Sequence, residues 1–420
     1  MTDKALRLIL LALVLLCGTA VRVVAQDAAT DPFATARLRI GPFAATPSIA
    51  LNNLGFDTNV FNSWNDPQGD FTFTATPAAD AWLRLGKGRL SIHASVGYVY
   101  FAKYTTERGF NTDDNARLEL PLTHFRPYAG FSYLNIRDRP GYEVDQRVRR
   151  SETGILGGVD VPFSRKTTCG LAYRTAKTVY AQGEQFSDTF LAYQLNRRTN
   201  VATARLRYAL TPLTTVVLDA ESVRERFEYA SGRDSNGFRI MPGVEFGKFA
   251  LINGSARVGF RNLKMLTPGM PDYAGVVAAV NLGYTLMGAT RFAVTADRDV
   301  AYSFENQEPY YLLTGVTGTI TQQVAGPWDV QARAGIQYLD YQRATCGSTT
   351  PCSPGLISGG GVGTTTGRTD VVRFYGGGVG YRLGPNVRLR LNADYYTRRS
   401  DFQIRAYEGL RVGTSVVYGF

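Results

Sequence analysis

The chain has 420 residues, with 46 Lys and Arg against 35 Asp and Glu, for a formal net charge of +11. Hydrophobic residues make up 44%, glycine fills 44 positions, and there are 24 Tyr and 23 Phe but only 2 His and 4 Cys. These numbers exclude a clustered His/Cys metal centre, and beyond the N-terminus no apolar run nears the roughly 20 residues a crossing helix needs.

At the N-terminus, Lys4 and Arg7 precede an apolar run from Leu8 to Leu16, and Val23-Val24-Ala25 stands before Gln26. That order predicts a secretory leader over residues 1–25. Its removal takes away Lys4, Arg7, Arg22 and Asp3, lowering the net charge from +11 to +9. Cys17 follows the bulky Leu16, which argues against a lipid anchor there. Residues 26–44 contain Pro32 and Pro42 and little alternation, and read as a short periplasmic lead-in.

From residue 45 to 420 the pattern has period two, the mark of strands with unlike faces. Short turns recur at Gly86-Lys-Gly88, Thr123-His124, Phe163-Ser164, Thr211-Pro-Leu-Thr214, Gly247-Lys248, Met287-Gly288, Ala325-Gly-Pro327 and Gly384-Pro-Asn386. Longer polar connections lie near 62–69, 105–109, 140–147, 181–197, 230–234, 264–273, 305–308, 343–366 and 400–404. Eight turns alternating with nine loops require eighteen strands. Phe190, Leu191 and Tyr193 could add a hairpin within 181–197 and raise the count to twenty, and sixteen also remains open. The fold expected is all-β, a closed antiparallel transmembrane barrel with short turns on the periplasmic rim and long loops outside.

The alternation also assigns faces. Ile252, Ala256, Val258 and Phe260 oppose Asn253, Ser255, Arg257 and Arg261; Leu206 opposes Arg205 and Arg207; Leu389 and Leu391 oppose Arg388 and Arg390. A charge on the lipid face near mid-bilayer costs on the order of 2–4 kcal/mol, so Arg205, Arg207, Arg257, Arg261, Arg388 and Arg390 are expected to line the lumen, with Arg333 and Arg411. Such a lining attracts anions and sugars, although the same arginines could brace the wall against Asp219, Glu119 and Asp394. Because they are spread in alternation and not clustered, nucleic acid is not an expected partner.

Neither His93 nor His124, both placed near the periplasmic rim, is positioned for catalysis, and no catalytic residue, metal site or cofactor is expected. Cys346 and Cys352 bracket five residues in the longest external connection and are expected to form a disulfide in an oxidising compartment; Cys169 falls within a strand as a small apolar residue. Gly376-Gly-Gly378 lacks the Lys-Ser/Thr of a phosphate loop and reads as a place of close approach.

At the C-terminus, Leu410, Val412, Thr414, Val416, Tyr418 and Phe420 share one face. A strand ending on an aromatic, with Tyr418 and Phe420 as its last apolar positions, resembles the signal that the barrel assembly machinery reads on outer-membrane β-barrels. Near the first strand, Gly55-Phe-Asp-Thr-Asn-Val-Phe61 follows Pro47-Ser-Ile-Ala-Leu51. Asp57, Asn59, Val60 and Phe61 resemble the opening of the β-barrel porin type 2 family. The resemblance implies an outer-membrane barrel in contact with lipid and a role in exporting an exopolysaccharide; the arginines suit an acidic polymer, and an export conduit calls for a periplasmic polysaccharide-export protein as partner. An anion-preferring diffusion porin and a non-conducting structural or adhesin barrel are the alternatives.

Overall fold

In the computed structural model, which describes residues 32–247, 250–344 and 368–419, the alternating segments are long antiparallel strands. The first half contains β1 (Leu38–Ile40), β2 (Phe43–Asp57), β3 (Asp70–Leu85), β4 (Gly88–Phe101), β5 (Gly109–Glu119), β6 (Arg126–Asp138), β7 (Val148–Pro162) and β8 (Thr167–Tyr180). A small hairpin, β9 (Gln185–Phe186) with β10 (Thr189–Phe190), and a helical turn at Leu191–Leu195 follow. The second half contains β11 (Arg197–Thr211), β12 (Thr214–Phe227), β13 (Ser235–Phe246), β14 (Ile252–Met265), β15 (Tyr273–Leu286) and β16 (Thr290–Tyr302). It ends with β17 (Tyr310–Ala325), β18 (Trp328–Gln342), β19 (Thr369–Leu383), β20 (Val387–Arg399) and β21 (Tyr407–Tyr418).

Each long strand pairs with the next in the chain, β8 pairs with β11, and β21 returns to β2. The seven strands β2–β8 and the eleven strands β11–β21 form a closed ring of eighteen. Closure leaves no backbone edge in hydrocarbon, where every unpaired group costs several kcal/mol. The β9–β10 hairpin stands in its own two-stranded sheet, so residues 181–197 add nothing to the ring.

The outward face carries the apolar alternates. Val258 is 53% exposed, Phe260 43% and Leu391 55%. Leu206 and Leu389 are half-buried at positions of the same parity. Exposed aromatics ring the two ends, among them Trp328 and Tyr418 at the short-turn rim and Phe71, Phe110 and Tyr395 at the long-loop end. These are the girdles expected where lipid meets water.

The seam between first and last strands runs from Ile49 opposite Tyr418 to Asp57 opposite Arg411, and slips at a bulge between Leu51 and Leu54. Asn53 takes φ +53° there, a left-handed conformation that Asn tolerates better than most residues. Below Tyr418 the overhanging edge of β2 is covered by β1, which pairs Leu38–Ile40 with Phe43–Ala45. The N-terminal motif sits at the top of this seam. Asp57 accepts from Arg411 at 2.6 Å and from the Tyr396 hydroxyl at 2.6 Å, and Asn59 donates to the carbonyls of Ser63 and Glu408. Val60 packs with Val99 and Phe101, and Phe61 meets Tyr104 edge to face. The motif therefore clasps the first and last strands together. Residues 1–25, Cys346, Cys352 and Phe420 lie outside the described residues.

Candidate functional site: the lumen and its two ends

Strand parity sets Arg205, Arg207, Arg257 and Arg261 on the face opposite the exposed apolar side chains, and there they meet carboxylates. Arg205 pairs with Asp219 directly across β11 and β12 at 2.5 Å, and Arg257 reaches the same Asp219 at 3.3 Å. Arg207 and Arg257 both pair with Glu245. Asp299 joins Arg261 at 2.5 Å to Arg239 at 2.8 Å, and Arg239 also holds Glu221 at 2.6 Å. Five arginines thus share four carboxylates on this wall. The bracing that composition left open as an alternative is what the geometry shows for Arg205, Arg207, Arg257 and Arg261.

The opposite wall is built differently. The inward positions of β19 are Gly376, Gly378 and Gly380, and long side chains from β18 and β20 meet over that bare backbone. Arg333 of β18 pairs with Asp394 of β20, while Arg388 and Arg390 of β20 share Asp329 of β18 at 2.5 and 2.8 Å. Arg390 also donates to Gln331 at 2.8 Å. A Cβ on Gly376 would lie 2.0 Å from Asp394 Oδ1, and one on Gly380 would lie 2.6 Å from Asp329 Oδ1. The glycine run is a trough for ion pairs that span two strand spacings, about 9–10 Å.

Two cavities follow this wall and a third adjoins them across the seam between β21 and β2. The one at the short-turn rim, about 450 Å³, is lined by turn residues Gly288, Ala289 and Pro327 and by Arg291, Arg382, Arg388, Arg390 and Asp329. A middle cavity of about 410 Å³ is lined by Asn52, Asn53, Arg333, Arg390, Asp394 and Arg411. The third, about 250 Å³, lies toward the long-loop end between Asp57, Phe101, Arg137, Arg139, Arg147 and Arg411. Arg390 borders the first two, and Asn53 and Arg411 border the last two, so neighbouring cavities share arginine lining.

The long-loop end departs from expectation. Residues 139–147 join the fifth and sixth strands of the ring and 303–309 the thirteenth and fourteenth, nearly half the circle apart. Contacts between them must therefore cross the lumen. The Ser303 hydroxyl donates to Glu143 at 2.6 Å and the Phe304 amide to the same carboxylate at 3.2 Å. Arg398, with no exposed side-chain surface, donates to the carbonyls of Tyr142 and Glu143 and pairs with Asp145 at 2.8 Å and Asp370 at 2.5 Å. Arg405 pairs with Glu305 at 2.8 Å and lies over the rings of Phe186 and Phe304. Val144, Val148, Tyr180, Phe186, Leu191, Leu195 and Phe304 form one buried apolar cluster, each large side chain contributing about 1.5–3 kcal/mol. Connections 140–147, 181–197 and 305–308, read as polar external loops, meet in this bridge through the burial of Val144, Phe186, Leu191 and the neighbouring Phe304, and Arg405, next to 400–404, ties in through Glu305. Burial raises Glu143 to about 7 against the opposing pull of Arg405, and lowers Arg147 to about 10.

His124 falls in the turn after β5, but His93 stands five residues inside β4, bound to Asp80 at 2.7 Å, rather than at the rim. Among the described residues no group of His, Cys, Asp and Glu could hold a metal ion. Arg291 and Arg382 escaped the sequence reading although simple alternation with Phe292 and Val294, or with Tyr381, would have found them. Glu143 and Arg398 gave no such signal, because their importance comes from partners more than 150 residues away.

A closed antiparallel barrel with an apolar exterior and a charged, cavity-lined interior is a porin-like protein of the bacterial outer membrane. Residues 31–420 match the family described as Putative beta-barrel porin 2, and the chain belongs to it. No curated protein matches the sequence. Among solved structures, the chain is similar to the outer-membrane protein OpdK of Pseudomonas aeruginosa, at 11% identity and TM-score 0.47, over 89% of this chain and 98% of that one. It is similar to a BenF-like porin of Pseudomonas fluorescens Pf-5, at 12% identity and TM-score 0.46, with the same coverage. A bacterial polysaccharide outer membrane secretin follows at 10% identity and TM-score 0.35, over 90% and 98%.

Proposed function

We propose that the barrel passes hydrophilic solutes across the outer membrane with a preference for anions. One observation carries this reading: the arginines along the β18–β21 wall outnumber the carboxylates that could neutralise them, and they border three adjoining cavities. Fixed positive charge in a narrow, partly dehydrated lumen acts more strongly than in bulk water. Threonine, asparagine and glutamine in the same lining supply hydrogen bonds for hydroxylated solutes.

Export of an acidic exopolysaccharide is a second reading, favoured by the placement of the least compensated arginines at the rim through which an exported polymer would enter. That reading calls on a periplasmic export protein as partner. Purified protein in a planar bilayer under a KCl gradient tests the first reading, with a reversal potential favouring chloride expected. Potassium preference, or no conductance at all, would overturn it, and the second outcome would leave a structural barrel. Deletion of the gene with loss of surface polysaccharide supports export; unchanged polysaccharide rejects it.

A further inference from the structure

The cavity at the short-turn rim differs from the rest of the lumen in its charge balance. Four guanidinium groups line it, those of Arg291 on β16, Arg382 on β19 and Arg388 and Arg390 on β20, with Asp329 as the one carboxylate. Arg388 and Arg390 divide Asp329 between them. Their Nε atoms are buried and find no acceptor among the described residues. Arg291 and Arg382 are exposed to the cavity and make no ion pair among the described residues. Elsewhere in the lumen each arginine of the ladder has a carboxylate within reach; here two have none and two share one.

Guanidinium groups held in a fixed array match carboxylate and phosphate oxygens in pairs. The remaining polar lining is Thr285, Thr319, Thr321, Gln323 and Gln331, neutral side chains able to bond hydroxyls, with Ala293 and Trp328 beside them. The volume, about 450 Å³, is in the range of small-molecule sites. The turns that carry Gly288, Ala289 and Pro327 open it toward the periplasm.

We infer that this vestibule is a saturable binding site, entered from the periplasm, for a hydroxylated solute bearing a carboxylate or phosphate group. The inference rests on the anion-passage reading and adds a place and a side to it. Arg388 and Arg390 hold the floor with Asp329, and Arg291 and Arg382 supply the charge that draws the anionic group from solution.

Single-channel recording in an oriented bilayer tests this, with protease on one side marking the face that carries the long loops. Glucuronate added on the periplasmic side should interrupt the current in a concentration-dependent, saturating manner, and glucose, its uncharged counterpart, should not. Glucuronate from the other side should act more weakly, since the bridged mouth stands in its path. Replacing both Arg291→Gln and Arg382→Gln should lower the blocking rate about tenfold or more, whereas Arg291→Lys with Arg382→Lys should retain most of it. Equal block from both sides, equal block by glucose, or an unchanged rate in the double Gln variant would overturn the site. Chloride selectivity measured in the same membranes separates the two readings. If it persists while sided block is absent, the site falls and anion passage stands; if it is absent, anion passage itself falls.

Discussion

The two ends of the lumen use the same residue type for opposite purposes. At the long-loop end Arg398, Arg405 and Arg368 are almost wholly buried, and each faces at least one carboxylate. At the short-turn rim Arg291 and Arg382 are exposed and face none within ion-pairing distance among the described residues. A buried guanidinium without a partner would cost several kcal/mol, so the mouth can keep its arginines only as part of a balanced network. The rim is wet, carries no such penalty, and keeps its charge available to solutes. Burial thus decides whether an arginine is a strut or a receptor.

The comparison breaks most visibly at Arg398. Arg398→Met removes the charge while keeping a similar length, and leaves Asp145 and Asp370 buried with their main partner gone. A loss of about 3–5 kcal/mol is expected for such a broken pair. It should fall on the bridge and not on the wall, whose strands keep their backbone ladders. Residues 139–147 should become open to protease in folded, heat-resistant barrel, with larger single-channel conductance. Unchanged protease resistance would mean that the apolar cluster alone holds the bridge.

A smaller effect is expected at Glu143. Its carboxyl is raised to about 7 by burial, with Arg405, Arg368 and Ser303 pulling the other way and Glu305 reinforcing the rise. The bridged state therefore holds a proton that a released, solvated loop gives up above its ordinary value near 4.5. The sign follows from linkage: this contribution to the bridge is complete below about pH 4.5 and is lost as pH rises through about 7. Conductance should be lower at pH 5.5 than at pH 8, and Glu143→Gln should flatten the difference. A dependence of the opposite sign would show that the arginines around Glu143 outweigh its desolvation.

The smallest effect should come from the β14 wall. Arg261→Gln leaves Asp299 held by Arg239, so chloride selectivity should shift only slightly, well short of the change in the Arg291 and Arg382 double variant. Reversal potentials of the two variants, measured at low salt where screening is weakest, set them in order. If Arg261→Gln has the larger effect, the distinction between paired wall and unpaired rim is wrong.

Much of the architecture is legible in the sequence. The eight short turns and nine long connections each fall between ring strands where the turn residues placed them, and the eighteen strands follow. Val258, Phe260 and Leu391 read as lipid-facing from period two alone, since a slip of one residue would exchange the faces of a whole strand. The motif from Asp57 to Phe61 was visible too, but not its task of clasping β2 to β20 and β21, which depends on residues more than 330 positions later. The alternation of arginines was visible as well, but not the carboxylates they meet, because pairing across two strands over Gly376 and Gly380 needs the register of β18, β19 and β20 together.

Alternation, turn chemistry and the cost of a charge in lipid are local, and from them the sequence determined an all-β barrel of about eighteen strands, with the closed ring settling the count. Only the closed ring decided which loops meet. Residues 139–147 and 303–309 become neighbours because a cylinder brings opposite sides within reach, and no period in the sequence records that distance. The balance of charge at each end was decided in the same way: a carboxylate neutralises an arginine only within a few ångströms, and tertiary structure alone sets which pairs come that close.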